Sequence, residues 1–278
     1  MKHLETTTRL VCDIAREAGS YIRKERAAFS VEKVERKHAH DYVSYVDKNS
    51  ERLIVGKLRE LLPGAGFITE EGSAGHTDER LLWVIDPLDG TTNFIHGFAP
   101  YAVSIALMQD SDILMGVVYE IASGECFYAW RGGGAYVERR SETGEVSRET
   151  LRVGTSPVSD ALLCLQLPYN SDAYKPVIGR LIDHFYGRVG SIRMLGSAAI
   201  ALCYVAAGRL DAYAERYIGQ WDYMAGALIV MEAGGCVTDY DGSSDFTRGD
   251  SVVADNGIVH PDLLDAIRQA CSSRNPSC

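Results

Sequence analysis

The chain is predicted to be an α/β protein on three observations: amphipathic helical periodicity at its start, short apolar runs bounded by turn residues through its middle, and mixed helix and strand patterns in its last third. Its 278 residues, 46% hydrophobic and 24% charged, suffice for one large α/β domain or two closely packed lobes and match an ordinary globular composition.

The elements follow in chain order. Leu4, Thr8, Val11, Ile14, Ala15, Ala18 and Ile22 recur at helical spacing and predict an amphipathic helix over Leu4 to Arg26. After Asp47 a second helix is marked by Leu53, Ile54, Leu58 and Leu61, and Pro63-Gly64 ends it. From Gly66 the period changes. Phe67-Ile68-Thr69 and Leu81-Leu82-Trp83-Val84-Ile85 read as buried strands, and each runs into carboxylates. The β-prone runs Ala102 to Met108, Ile113 to Tyr119, Glu125 to Trp130 and Gly134 to Val137 form an antiparallel meander, with a turn at Gly132-Gly133-Gly134.

Polar Arg139 to Arg152 is expected to be a loop, and a boundary near residue 150 divides an N-terminal lobe, 1–150, from a C-terminal lobe, 151–278. Beyond it, strands are predicted at Leu162 to Leu167, Cys236 to Thr238 and Ser251 to Ala254. Helices are predicted at Ala173 to Phe185, Ser197 to Ala207 and Asp222 to Ala233, with a closing helix from Pro261 to Ala270. Met194 to Ala207 is the most apolar stretch; it is too short to span a bilayer and reads as a buried helix.

Composition excludes several function classes. The net charge is −10, and the densest basic stretch, Arg23 to Lys37, interleaves Glu25, Glu32 and Glu35, which argues against a nucleic-acid surface. No membrane partner is expected. Seven scattered cysteines contain no Cys-x-x-Cys, so neither a disulfide framework nor a zinc site is indicated. A charged Met1 to Glu17 lacks the apolar core of a secretory signal, and a cytoplasmic setting is expected.

The chemistry concentrates in Trp83-Val84-Ile85-Asp86-Pro87-Leu88-Asp89-Gly90-Thr91-Thr92-Asn93-Phe94, where a hydrophobic strand delivers two aspartates into a turn and a helix start. Pro87 fixes φ, Gly90 permits a tight backbone, and Asp86 and Asp89, three apart, converge on one ion with the Leu88 carbonyl alongside. Oxygen-only ligands select hard cations, and magnesium typically bridges carboxylates to phosphate oxygens. Amides at Gly90, Thr91 and Thr92, heading a helix, point positive partial charge at a phosphate.

Asp-Pro-Leu-Asp-Gly is also the composition of a plain β-turn, and Asp222 alone reads as a helix N-cap. A second carboxylate pair, Glu70-Glu71, ending the preceding strand, favours a metal site, because neighbouring strands bring Glu70 beside Asp86. His38 and His40 lack further soft ligands and read as exposed polar residues.

Through Phe67-Ile68-Thr69-Glu70-Glu71, Asp86 to Phe94 and Trp221-Asp222-Tyr223-Met224-Ala225-Gly226, in that order, the chain resembles the inositol monophosphatase family. The resemblance runs from the Asp41 and Asp47 region to Glu232-Ala233-Gly234-Gly235. It implies a layered α-β-α-β-α sugar-phosphatase fold (α+β layered), with two mixed or antiparallel sheets between helix layers. It also implies a homodimer and magnesium-dependent, lithium-sensitive hydrolysis of a small polyol or sugar phosphate ester, inositol 1-phosphate foremost.

By the same resemblance, two or three magnesium ions are held, the first by Glu70, Asp86 and the Leu88 carbonyl, the second by Asp86, Asp89 and Asp222, and a third leaning on Glu70. Thr91 and Asp47 act with Glu70 in catalysis by orienting or deprotonating a water, and the Gly90 and Thr91 amides hold phosphate. Gly196, Ser197, Ala198, Glu215 and Asp222 contact the alcohol, Arg193 lines the same region, and Glu215 sets specificity.

Lys37 to Asp47 resembles the family's mobile lysine-to-aspartate loop, with His38-Ala39-His40 where relatives place Gly, Ser or Pro. Related enzymes act on fructose 1,6-bisphosphate, histidinol phosphate or adenosine 3′,5′-bisphosphate. Thr92-Asn93-Phe94 favours the inositol branch over the last of these. The rival from another class is a noncatalytic metal-binding interaction protein.

Overall fold

The computed structural model describes residues 2–28, 34–38, 41–75, 79–141, 143–167 and 171–272. Its N-terminal part runs α1 (Lys2–Ala27), β1 (Val34–His38), β2 (Asp41–Ser44), α2 (Tyr45–Leu61), β3 (Gly66–Thr69), β4 (Leu81–Asp89) and α3 (Thr91–His96). A meander follows: β5 (Ala102–Gln109), β6 (Asp112–Glu120), β7 (Cys126–Trp130), β8 (Ala135–Arg140) and β9 (Val146–Thr150). Then come β10 (Leu162–Leu165), α4 (Ser171–Phe185), β11 (Ser191–Arg193), α5 (Ala198–Ala206), β12 (Ala212–Ile218), α6 (Gln220–Glu232), β13 (Cys236–Thr238), β14 (Asp250–Asp255) and α7 (His260–Ser272).

Two sheets result. β3 to β9 lie side by side in chain order, β3 parallel to β4 and the rest antiparallel. The second sheet has the order β11-β10-β12-β14-β13, with parallel pairs around β10 and antiparallel pairs around β14. Side chains alternate across each strand, so both sheets bury both faces. In β7, Cys126, Tyr128 and Trp130 pack with α1 and α2, while Phe127 and Ala129 pack with α5 and α6. In the second sheet Cys164, Tyr213, Val252 and Ala254 face α5 and α6, and Leu163, Leu165, Ala212, Ala214 and Val253 face α4 and α7. The order of layers is therefore helices, sheet, helices, sheet, helices, as the family resemblance implies.

A helix enclosed between two sheets has no face for water, and its sequence shows it: every residue from Tyr223 to Val230 in α6 is buried. The predicted buried helix after Met194 is α5, equally apolar. Among the described residues no helix is long and apolar enough to cross a membrane, and the six described cysteines are free thiols.

Some expectations are corrected. Arg139 to Arg152 is not one loop; β8 continues to Arg140 and β9 pairs with it through Val137↔Glu149 and Arg139↔Ser147. All five β9 residues are exposed, so this edge strand has no core face to leave an apolar signature. The helix expected from Asp222 starts two residues earlier. β1, β2, β11 and β12 had no assignment. Part of the expected lysine-to-aspartate loop is the β1–β2 hairpin, while Ala39 and His40 lie outside the described residues.

α6 approaches the seven-stranded sheet closely at Gly116, where an added Cβ would stand 2.4 Å from the Ala225 carbonyl oxygen and 2.8 Å from its Cα. Both are backbone atoms of a helix held from two sides. Gly116→Ala is expected to destabilise the fold by about 1–3 kcal/mol, seen as a lower Tm. An unchanged Tm would mean that α6 is free to shift away from the sheet.

Candidate active site

The seven-stranded sheet brings two aspartates to one face by a local irregularity. Residues three apart on a regular strand point to opposite faces. Opposite β5, however, Asp86 pairs with Ser104 and Asp89 with Ala102, so three steps on β4 meet two on its neighbour. The extra residue in the Pro87-Leu88 bulge returns Asp89 to the face of Asp86. That face looks toward α6, whose Trp221 carbonyl accepts from Ser104 Oγ at 3.1 Å. Asp222, in the first turn of α6, completes a cluster in which carboxylate oxygens of Asp86, Asp89 and Asp222 lie within 4.8 Å of one another. Glu70 follows β3, its amide bonded to the Ile85 carbonyl at 3.2 Å, and lines the same cleft beside Asp86.

Each aspartate is fixed by amides. Asp86 Oδ1 accepts from Leu88 N at 2.8 Å, and Asp222 Oδ2 from Gly219 N at 2.9 Å. Asp222 is thus the third residue of α6, bonding back to Gly219, and not its N-cap. Asp89 sits on the N-terminus of α5 and accepts from Ala198 N at 3.2 Å, Ala199 N at 2.9 Å and the Ser197 hydroxyl. Ser197 also caps α5, its Oγ accepting from Ile200 N, and is buried. Of the amides expected to meet the alcohol, that of Ala198 is therefore bonded to Asp89 and that of Gly196 to Gln166 Oε1.

α2 supports the cleft from behind. Its buried positions 47, 50, 51, 54, 55 and 58 form one helical stripe, and the first three are polar. Asp47 Oδ1 lies 2.9 Å from Thr91 Oγ1, which is also 3.0 Å from the Leu88 carbonyl. Ser50 bonds the Pro87 carbonyl at 3.2 Å. Glu51 accepts from Thr69 Oγ1 at 3.0 Å and from the amides of Glu71 and Ser73 at 2.7 Å each, which fixes the turn carrying Glu70. Sequence reasoning missed Glu51; its signal was a charged residue on the apolar stripe.

The remaining wall belongs to the second sheet and the turn before α5. Gly90, at φ 87°, heads α3 and faces the Gly196 carbonyl so closely that a Cβ would meet it at 3.0 Å. Asn93 Nδ2 ties α3 to the carbonyls of Pro100 and Leu195, 2.8 Å from each. Gln166, Glu215 and Tyr217 line the cleft, Tyr217 at φ 61° where β12 is irregular against β14. Neither Gln166 nor Tyr217 carried a motif that would have singled it out. Arg193 donates to Ser191 Oγ and the Ile192 carbonyl and is not among the lining residues. His96 is exposed at the end of α3, and the side chains of Lys37 and His38 lie outside the described residues.

The cleft, about 390 Å³, is lined by five carboxyl groups and, among the described residues, by no Lys, Arg or His. Burial raises the pKa of Asp86, and repulsion from Glu70, Asp89 and Asp222 raises it further; Asp222 is raised by burial and then by Glu70, Asp89 and Glu215. Asp89 is pushed up to about 6 by burial, against the hydrogen bonds from Ser197 and the α5 amides. Glu215 rises to about 7 through burial, against its bond from the Tyr213 hydroxyl. An oxygen-only cluster of this kind, short of positive charge, fits a hard divalent cation.

A model of the inositol monophosphatase family matches residues 3–272. An inositol-1-monophosphatase of Mesorhizobium japonicum is 39% identical over 236 residues, covering 84% of this chain and 85% of its own. Nus factor SuhB of Escherichia coli K12 is 35% identical over 259 residues, covering 93% and 94%. Among solved structures, an IMPase of Thermotoga maritima superposes with a TM-score of 0.83 at 29% identity over 98% of both chains.

Asp89 holds its proton more tightly in the fold than in the unfolded chain, whose aspartates titrate near about 4. Raising the pH from there through about 6 therefore removes stability from the metal-free protein. A cation that displaces this proton binds better at the higher pH. Magnesium is expected to raise Tm more at pH 7.5 than at pH 5; an equal gain at both would contradict a proton-competing site.

Proposed function

The chain belongs to the inositol monophosphatase family, and on that premise we propose that it hydrolyses a small polyol or sugar phosphate monoester, inositol 1-phosphate foremost, with magnesium as cofactor. The observation that carries this reading is the convergence of Asp86, Asp89 and Asp222 in a cleft lined by carboxyl groups and, among the described residues, by no Lys, Arg or His. An anionic ester cannot approach five carboxyl groups unless cations reverse the local field.

In this reading Glu70, Asp86 and the Leu88 carbonyl hold one ion, Asp86, Asp89 and Asp222 a second, and Glu70 supports a third. Bound divalent cations lower the pKa of water and neutralise phosphate oxygens. The Gly90 and Thr91 amides, at the start of α3, orient the phosphate. The Thr91 hydroxyl has one proton and two acceptors, Asp47 Oδ1 and the Leu88 carbonyl. Hydrogen-bonded to Asp47, the Thr91 oxygen can accept a hydrogen bond from the attacking water; as that water gives its proton to Thr91, the Thr91 proton would pass to the Asp47 carboxylate, with Glu70 orienting the water. Gly196, Ser197, Ala198, Glu215 and Asp222 border the alcohol; Ser197 acts through Asp89 and Glu215 directly.

The 1–150 part then supplies most metal ligands and the 151–278 part most of the alcohol-binding wall. A homodimer, a cytoplasmic setting and no nucleic-acid partner complete the proposal, on the family resemblance and the acidic composition. The Escherichia coli relative bears the name Nus factor, and a second reading is a noncatalytic metal-binding interaction protein, which predicts metal binding but no phosphate release from any ester.

Phosphate release from inositol 1-phosphate is expected to require magnesium, to be inhibited by lithium and to fall at least about 100-fold in kcat for Asp89→Asn, about 2.7 kcal/mol of barrier. Release that persists in a chelator would end the metal reading. Glu215→Gln is expected to change the ranking of polyol phosphates by about tenfold with little change in the magnesium concentration required. Uniform loss on every ester would remove Glu215 from specificity.

A further inference from the structure

Gln166 carries a polar group that the proposed reaction does not use. It follows β10, and its amide donates to the Ala214 carbonyl at 3.2 Å, extending the parallel pairing Leu165↔Ala214 by one step. Leu165 and Ala214 point to the outer helices. The next residue on each strand, Gln166 and Glu215, points the other way, and both line the cleft.

The carboxamide is oriented by its neighbours. Its Oε1 accepts two backbone amides, Leu195 N at 3.0 Å and Gly196 N at 3.2 Å. Only an oxygen can serve two N–H donors, so the NH2 end is the other one, with two hydrogens to give. Gln166 is 6% exposed, and its Nε2 has no hydrogen-bond partner among the described residues, yet it is not among the atoms sealed from solvent without one. A nearly buried donor with an open side facing the cleft is a group waiting for a ligand acceptor.

Glu215 beside it offers the complement. Its Oε2 accepts from the Tyr213 hydroxyl, leaving its other oxygen able to accept again. A hydroxyl carries one hydrogen to give and lone pairs to receive. Ethers and ketones only accept, and ammonium groups only donate. We infer that Gln166 is a specificity-determining residue of this site, donating through Nε2 to an alcohol hydroxyl of the substrate that in turn donates to Glu215. The inference rests on the phosphatase reading above and names the feature of the alcohol that this wall selects.

Gln166→Glu keeps an acceptor for the Leu195 and Gly196 amides while removing the NH2 donor; Gln166→Leu removes both. The test is kcat and KM at pH 8, with magnesium, for inositol 1-phosphate and cyclohexyl phosphate, the same ring without hydroxyls. Wild type is expected to prefer the inositol ester. In both variants that preference, as a ratio of kcat/KM, should fall at least tenfold, with the loss in KM for the inositol ester. A preference that survives in both variants would leave Gln166 as a prop for the 195–196 turn and overturn the inference alone. A wild type that hydrolyses neither ester would overturn the phosphatase reading and this inference with it.

Discussion

Negative charge gathered in one cleft is the constraint around which the structure is arranged. Five carboxyl groups line one cleft, and each that can be traced has been given a hydrogen-bond donor: the Leu88 amide for Asp86, the start of α5 for Asp89, Gly219 for Asp222, the Tyr213 hydroxyl for Glu215. Such bonds compensate part of the desolvation of a carboxylate, not all of it. The raised pKa values of Asp86, Asp89 and Asp222 are the remainder. In that sense the cleft is an unfinished electrostatic structure that a cation would complete.

Holding like charges together requires a frame that does not yield. The bulge in β4 aligns Asp86 with Asp89, and α5 and α6, enclosed between two sheets, present their first turns to the same point. Asp89 is the joint, since its carboxylate links the end of a strand in one sheet to the helix that packs beneath the other. α2 closes the back through Asp47, Ser50 and Glu51, polar residues on a stripe that elsewhere buries Ile54, Val55 and Leu58.

Much of this was legible in the sequence, in proportion to how local its cause is. Strand-to-turn punctuation around Asp86 and Asp89 pointed to two carboxylates of the cleft, and the carboxylates after Thr69 pointed to Glu70, because a parallel neighbour places them side by side. The reason the aspartates share a face is a pairing irregularity with β5, which no spacing within β4 encodes. β9 escaped because an exposed edge buries no side chain, and β12 because three consecutive buried residues, Ala212 to Ala214, run straight into Glu215, Arg216 and Tyr217 with no apolar alternation. Gln166 and Tyr217 owe their places to strand ends that meet only in the folded chain.

The division of labour between the two walls has an evolutionary consequence. In the proposed reading, the ion-facing carboxylates come mainly from the first sheet and the start of α6, whereas the surface meeting the departing alcohol is made by the ends of β10 and β12. On that reading, substitutions at the second set would leave the ion-holding frame intact, so lineages sharing one hydrolytic engine could diversify in diet by exchanging a few strand-terminal side chains.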